Sequence, residues 1–228
     1  MTRNTLSAAA LAIAAAAGFG APACAQEQPG RFQVKLMGSA VLPNGEISEV
    51  LVDGIGLPAG TQTAADDNYV PTLAIEYFVT PNVSVETICC VTQHDVEGRG
   101  GLAGAGLVSN ANIIPATLTV KFHFGEDGGV RPYVGAGPTY FIFIDEKPGA
   151  TASALGATSQ RMNDHFGLAL QAGIDIPVNQ SGLSVSLDAK RYFLSTSAHW
   201  FNAAGTEVLA TRHRIDPWVL SAGLAYRF

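Results

Sequence analysis

The stretch IPATLTVKFHFGEDGGVRPYVGAGPTYFIFI, residues 114–144, holds two alternating runs joined by one tight turn. In the first run Ile114, Ala116, Leu118, Val120, Phe122 and Phe124 take every second position, and Thr117, Thr119, Lys121 and His123 fill those between. In the second, Val134, Ala136, Tyr140 and Ile142 alternate with Gly135, Gly137 and Thr139. Successive side chains leave a strand on opposite sides, so a period of two predicts strands with one apolar and one small or polar face. The linking residues 125–129, Gly-Glu-Asp-Gly-Gly, have the chemistry of a tight reversal.

The same pattern recurs along the chain and predicts eight strands. The others run over about Arg31–Leu42, Tyr69–Val79, Asn82–Thr92, Phe166–Ile176, Leu183–Ala189 and Trp218–Phe228. Their connectors alternate in length. Thr80-Pro81, residues 125–129 and Asn179–Gly182 are short, whereas the other four connectors are each about twenty residues or more, rich in Gly, Ala, Ser, Thr, Asn and Asp. Long unstructured loops count against a compact soluble domain. Here all of them fall at one end of an up-and-down sheet, the pattern of barrels with short turns on one side of a membrane and long loops on the other.

Composition decides which face points outward. Of 228 residues, 47% are apolar and only 14% charged, against a usual charged share of about 25%. The non-apolar face carries too many Gly, Ala, Ser and Thr residues to be the wet exterior of a soluble barrel, and small residues suit a narrow lumen. The strands are about 11 residues long, enough to cross a bilayer at a tilt. The expected fold is therefore all-β: an eight-stranded antiparallel up-and-down transmembrane β-barrel with apolar side chains toward lipid. Closure leaves no open edge in hydrocarbon, and eight strands enclose a space that side chains can fill. The net charge of −6 and the lack of a basic run exclude nucleic acid as a partner.

Residues 1–25 read as an export signal: Arg3, an Ala-rich apolar run from Leu6 to Phe19, and Ala23-Cys24-Ala25 as a small-x-small cleavage site. The barrel then occupies 26–228. A retained membrane anchor is the rival, but the run is short and dominated by Ala. Cys89 and Cys90 are adjacent and point to opposite faces of a strand, so they neither bridge each other nor form a spaced metal-ligand set. No metal or cofactor is expected.

On the lumen face the charged residues are Lys35, Glu76, Glu86, Lys121, Asp175, Asp188, Lys190 and Arg227. Their signs balance, and buried charges must pair or stay hydrated. A paired network that fills the barrel is the plain expectation; a selectivity filter is the alternative. Four of the five histidines, His94, His165, His199 and His213, fall in or beside long connectors, and only His123 lies on a strand face. Neither a Gly-x-Ser-x-Gly elbow nor a His-Glu-x-x-His pair is present. The aromatics Tyr77, Phe122, Phe124, Tyr226 and Phe228 fall toward the short-turn end, and Tyr69, Tyr140 and Trp218 toward the other, as interfacial girdles do.

Several stretches, among them NIIPATLTVKFHF, RPYVGAGPTYFIFIDE, FGLALQAGIDIPV, LSVSLDAKRYFL and IDPWVLSAGLAYRF, resemble the outer membrane protein W (OmpW) family, in the family's order, over roughly Phe32–Phe228. The resemblance implies a Gram-negative outer-membrane barrel, with a narrow channel, apolar near its outer end, admitting small hydrophobic molecules. Its N-terminus would be periplasmic, its long loops extracellular, and its partners outer-membrane lipid, the outer-membrane assembly machinery and small hydrophobic solutes. The unusual Ile-Cys-Cys-Val in the third strand and the first long connector depart from the pattern. The rival functions are an adhesion or structural barrel whose loops bind an outside partner, and a lipid-modifying barrel enzyme.

In the last strand Trp218, Leu220, Leu224, Tyr226 and Phe228 face lipid, while Ser221, Gly223 and Arg227 face the lumen. This strand must pair with the first to close the barrel. Phe228 resembles the C-terminal signal read by the assembly machinery. Removing Phe228, or adding residues after it, should lower the amount of folded protein in outer-membrane fractions; wild-type levels would refute that role.

Overall fold

A computed structural model describes residues 30–144 and 147–228; the expected export signal, 1–25, lies outside them. The elements are β1 (Phe32–Leu42), β2 (Glu46–Asp53), β3 (Gln62–Ala65), β4 (Asn68–Phe78), β5 (Val83–Cys89), β6 (Thr92–Arg99), β7 (Gly106–His123), β8 (Arg131–Ile144) and β9 (Lys147–Pro148). A one-turn helix, α1 (Ala150–Ala154), precedes β10 (Ser159–Met162), β11 (His165–Pro177), β12 (Leu183–Phe193), β13 (Ser195–Phe201), β14 (Glu207–Arg214) and β15 (Trp218–Arg227).

Eight staves, β1-β4-β5-β7-β8-β11-β12-β15, pair antiparallel in that circular order. The last joins the first over ten residue pairs, from Gln33 opposite Arg227 to Leu42 opposite Trp218. The barrel is a closed antiparallel sheet of the expected kind. Burial follows the sequence period. In β1, Gln33, Lys35, Met37, Ser39 and Val41 point inward and are buried, while Phe32 and Leu36 lie on the outer surface. In β15 the outward residues Trp218, Leu220, Leu224, Tyr226 and Phe228 are about half exposed. Such a surface suits a hydrocarbon surround rather than water.

The long connectors differ from the loops expected of them. Much of their length is strand: β2, β10, β13 and β14 form a second, four-stranded sheet in the order β10-β13-β14-β2. On the other side, β3 and β6 extend the wall, and β7 reaches 18 residues, with β9 beside it. The barrel thus continues beyond the staves as two facing sheets, packed on Val96, Leu107, Val108, Ala198, Trp200 and Leu209. Small residues such as Ala105, Ala111, Ala152 and Ala157 belong to that core. The Ala that read as loop composition is the filling of a narrow core.

The third stave carries a defect. β5 stops at Cys89 and β6 begins at Thr92. Its ladder to β7 lapses between Ile88–Thr117 and Thr92–Ile113, and its ladder to β4 ends at Leu73–Cys89. Extending both registers sets Pro71 opposite Val91 and Pro115 opposite Cys90. Proline has no N–H to give a ladder, so the stave is left unpaired on both sides at Cys90–Val91 and the wall is thin there. Cys89 is exposed and Cys90 buried, on opposite faces as expected.

His94 and His213 lie within strands of this extension, not in loops. His213 sits among neutral partners: Nε2 meets Thr211 Oγ1 at 2.6 Å, and Nδ1 meets Thr63 Oγ1 at 3.1 Å and the Gly45 carbonyl at 3.2 Å. Burial holds its pKa below the ordinary value, only partly opposed by the Gly45 carbonyl. Below about pH 6.5 the unfolded imidazole takes a proton that the folded one refuses, so acid destabilises this sheet. Amide exchange in β14 and β2 should speed up from pH 7.5 to about pH 5 relative to the staves, and His213→Gln should flatten the difference. Equal acid sensitivity in the variant would refute the assignment.

Candidate functional site

Alternation brings most of the charged lumen residues to one level, near the short-turn end. Lys121 on β7 reaches Glu76 on β4 at 2.9 Å and Glu86 on β5 at 2.8 Å. Lys35 on β1 lies 3.4 Å from Glu76, 3.6 Å from Glu86 and 3.2 Å from Asp175 on β11. Lys190 on β12 meets Glu86 at 3.1 Å and Asp188 at 2.8 Å. These seven groups form one layer across the lumen, all of them buried. Arg227 is not part of it. It lies at the turn-end mouth, 2.8 Å from Asp127, with its guanidinium 3.8 Å from the centre of the Phe78 ring. Without it the layer holds three ammonium groups and four carboxylates, so the expected balance of signs does not hold there.

Neutral donors make up the difference. Tyr133 donates to Asp188 at 2.7 Å, Ser186 to Asp175 at 2.6 Å, and Gln33 to Asp175 at 3.0 Å. Gln171 donates to Glu86 at 2.9 Å and to Asp188 at 2.6 Å. The Tyr133 ring packs against two ammonium groups, with Lys121 Nζ at 3.8 Å and Lys35 Nζ at 4.6 Å from its centre. Cation–π attraction adds to the ion pairs at such distances. Gly173 on β11 makes the room, since a Cβ there would come within 2.4 Å of the Tyr133 ring and hydroxyl. Sequence reasoning placed Gln171 on this face but missed Tyr133. The available signal was an aromatic in phase with Gly135 and Gly137, opposite another glycine.

Next to the layer, Ser84, His123 and Glu76 meet. Ser84 Oγ lies 2.9 Å from His123 Nε2, Glu76 accepts from Ser84, and His123 Nε2 is also 2.8 Å from Glu76. A nucleophile–base–acid relay needs serine and carboxylate on opposite ring nitrogens. Here both share Nε2, and Nδ1 has no partner. The cluster is an ion-pair satellite and lacks relay geometry. At the mouth, Asp127 in the β7–β8 turn joins Arg131 to Arg227. Gln33, Phe78, His123 and the 178–182 turn line a vestibule there of about 570 Å³.

Toward the other end, polarity falls in steps. Thr72 donates to Ser39 at 2.7 Å, and Ser39 meets Ser221 at 2.6 Å; Thr117 meets Thr139 at 2.8 Å. Beyond this collar the wall turns apolar. A slim cavity of about 30 Å³ lies among Val41, Ile88, Cys90, Ile113, Phe141 and Ile215, with Lys190 and Tyr192 as its floor. A second, of about 40 Å³, continues outward among Val96, Val108, Ala111, Phe143, Met162 and Ala198. Phe141 and Phe143 are the lumen-side members of residues 140–144, Tyr-Phe-Ile-Phe-Ile, which are apolar on both faces. His94 and His213 border the outer cavity with both ring nitrogens engaged. No cluster of three or more metal-ligating side chains exists among the described residues.

Removing one partner from a buried ion pair strands the other charge, at a cost of about 3–5 kcal/mol. Lys121→Met, which leaves both Glu76 and Glu86 short of a cation, should destabilise the folded barrel by about that amount in reversible urea unfolding. Adding Glu76→Gln should recover part of the loss. A neutral effect of Lys121→Met would mean that the layer is hydrated rather than paired.

Known proteins share this architecture. Residues 28–228 match the sequence model of the OmpW family. The chain is 30% identical over 204 residues to outer membrane protein W of Vibrio cholerae, covering 88% of this chain and 90% of that one. It is 28% identical over 209 residues to the dibenzothiophene metabolism operon protein PahQ of Pseudomonas aeruginosa, covering 91% and 92%. The crystal structure of OprG from Pseudomonas aeruginosa superposes with a TM-score of 0.76 at 26% identity, over 87% of this chain and 96% of that one. The protein belongs to the OmpW family of bacterial outer-membrane β-barrels.

Proposed function

We propose that this barrel passes small apolar molecules inward across the outer membrane, with its two facing sheets outside the cell and its short turns and N-terminus in the periplasm. The observation that carries this is the stacking of two apolar cavities directly on a layer of paired charges that spans the lumen. An apolar solute entering from the extended end gains roughly 25 cal/mol per Å² of surface removed from water. Selectivity is then weak and graded by size. The relative encoded in an operon for dibenzothiophene metabolism is in keeping with an apolar cargo.

Beneath the chamber the solute meets Lys190 and the charged layer. Displacing those partners would leave buried charges unpaired, so straight passage is opposed. The thin wall at Cys90–Val91 opens on the same chamber, since Cys90 and Pro115 both line it. The solute leaves sideways there, into hydrocarbon. The charged layer serves as a plug that bars water and ions, and the lumen does no covalent chemistry; the shared ring nitrogen in the Ser84–His123–Glu76 cluster favours this over a lipid-modifying enzyme.

Uptake of an apolar fluorescent probe into cells with and without the protein tests the passage, and equal uptake would refute it. The exit is tested by pinning the thin wall. Thr72 lies opposite Cys90 when the β4–β5 register is extended by one pair, and Pro115 faces Cys90 from the other side by register. In a Cys89→Ser background, a disulfide from Cys90 to Thr72→Cys or to Pro115→Cys, verified by mass, should cut uptake several-fold and reduction should restore it. Uptake unaffected by both staples would place the exit elsewhere.

A further inference from the structure

Gln160 on β10 is the outlier beside the outer chamber, on the same strand face as Met162, which lines it. It is 92% buried, at 8% exposure, yet neither its amide oxygen nor its amide nitrogen has a hydrogen-bond partner. Its surroundings are apolar. By register it lies opposite Trp200, and two residues further along the same face Met162 lies opposite Ala198. Met162 and Ala198 line the outer cavity, so the amide sits one row, about 7 Å, beyond that cavity's wall. Buried polar groups are nearly always paired, and a bare amide in such a place is costly. A leucine or methionine would fill the same volume without that cost. The other polar groups near the chamber are engaged: both nitrogens of His94 and His213 have partners, and Trp200 Nε1 donates to the Leu107 carbonyl at 3.4 Å.

We infer that Gln160 is a solute-recognising residue: it binds the single neutral hydroxyl or carboxamide group of a molecule whose apolar body lies in the cavities below. This deepens the proposed passage of apolar solutes and rests on it. A side-chain amide offers one donor and one acceptor face, which matches a group that both donates and accepts. It carries no charge with which to hold an ammonium or a carboxylate. The adjacent Arg161 is exposed and points away from the chamber. The cavities, of about 30 and 40 Å³, are small, which leaves room behind the polar group only for a short unbranched chain. The preferred cargo is thus an alcohol or a neutral amide with a short, unbranched apolar body, ahead of the bare hydrocarbon of equal length.

The chain contains two tryptophans, Trp200 and Trp218. In a Trp218→Phe background, in lipid nanodiscs, Trp200 alone reports on its neighbour Gln160. Two quenchers are compared: an alkanol brominated beside its hydroxyl group, and the bromoalkane of the same length. Partition into lipid is common to all variants and cancels from the ratio of apparent affinities. With Gln160 present the alkanol should be favoured, and Gln160→Leu should reduce that preference by about fivefold while leaving bromoalkane quenching equal or stronger. Gln160→Met should behave as Gln160→Leu does. Heat-modifiable mobility on gels confirms that each variant is folded. If both probes quench and their ratio is the same with and without Gln160, the inference is wrong and the passage reading stands. If neither probe quenches Trp200, the apolar chamber takes no solute and both fall.

Discussion

Hydrocarbon offers no partner for a backbone N–H or C=O, so every stave must find its hydrogen bonds in its neighbours. The pairing of β1 with β15 is where that condition is met for the barrel as a whole. The ten-pair register from Gln33–Arg227 to Leu42–Trp218 removes the last open edge. It also fixes the faces. A slip of one residue would turn Lys35 and Glu76 toward lipid and Leu36 and Leu220 into the lumen. The ion pairs, the collar of hydroxyls and the apolar cavities all depend on that register being kept around the ring. The lapse at Cys90–Val91 therefore stands out as the one stave interrupted on both sides by a neighbouring proline.

Inside the ring, packing and charge divide the labour. Eight staves leave a bore narrow enough for Tyr133 to reach across it, provided that Gly173 yields the space. The aromatic ring then packs against both Lys35 and Lys121, and its hydroxyl turns to Asp188. Around it the carboxylates are shared, each by two or more donors, so no ammonium group depends on one partner. Such a layer is costly to displace, which favours a molecule that turns sideways over one that passes through. Polarity declines from ion pairs through threonines and serines to Phe141 and Phe143, and the proposed passage takes its direction from that gradient.

Much of this was legible in the chain. The staves at Phe32–Leu42 and Arg131–Ile144 coincide with the alternation that marks them, because a half-buried strand imposes a period of two on its residues. The lumen membership of Lys35, Glu76, Glu86, Lys121, Asp175, Asp188 and Lys190 follows from the same phase. Depth along the barrel was not legible. Arg227 shares the lumen face, yet it lies at the mouth with Asp127, because stave tilt sets levels that phase does not record. The long connectors were read as loops because Gly and Ala are poor strand markers. Their strand form comes from pairing across distant segments, such as β2 with β14.

An all-β closed barrel, the side of each stave that meets lipid and the side chains that share the interior are all written in the order of the residues. These follow from alternation, turn chemistry and a scarcity of charge, all of which are local. Which interior groups touch is set by the assembled ring. The assembled fold set Tyr133 against two lysines, gave Ser84 and Glu76 the same nitrogen of His123, left Arg227 out of the charged layer, and buried Gln160 without a partner. Contacts across a bore join residues as far apart as Lys35 and Asp175, and their closeness depends on strand register, tilt and closure. Those are properties of the assembled ring, which no single strand carries.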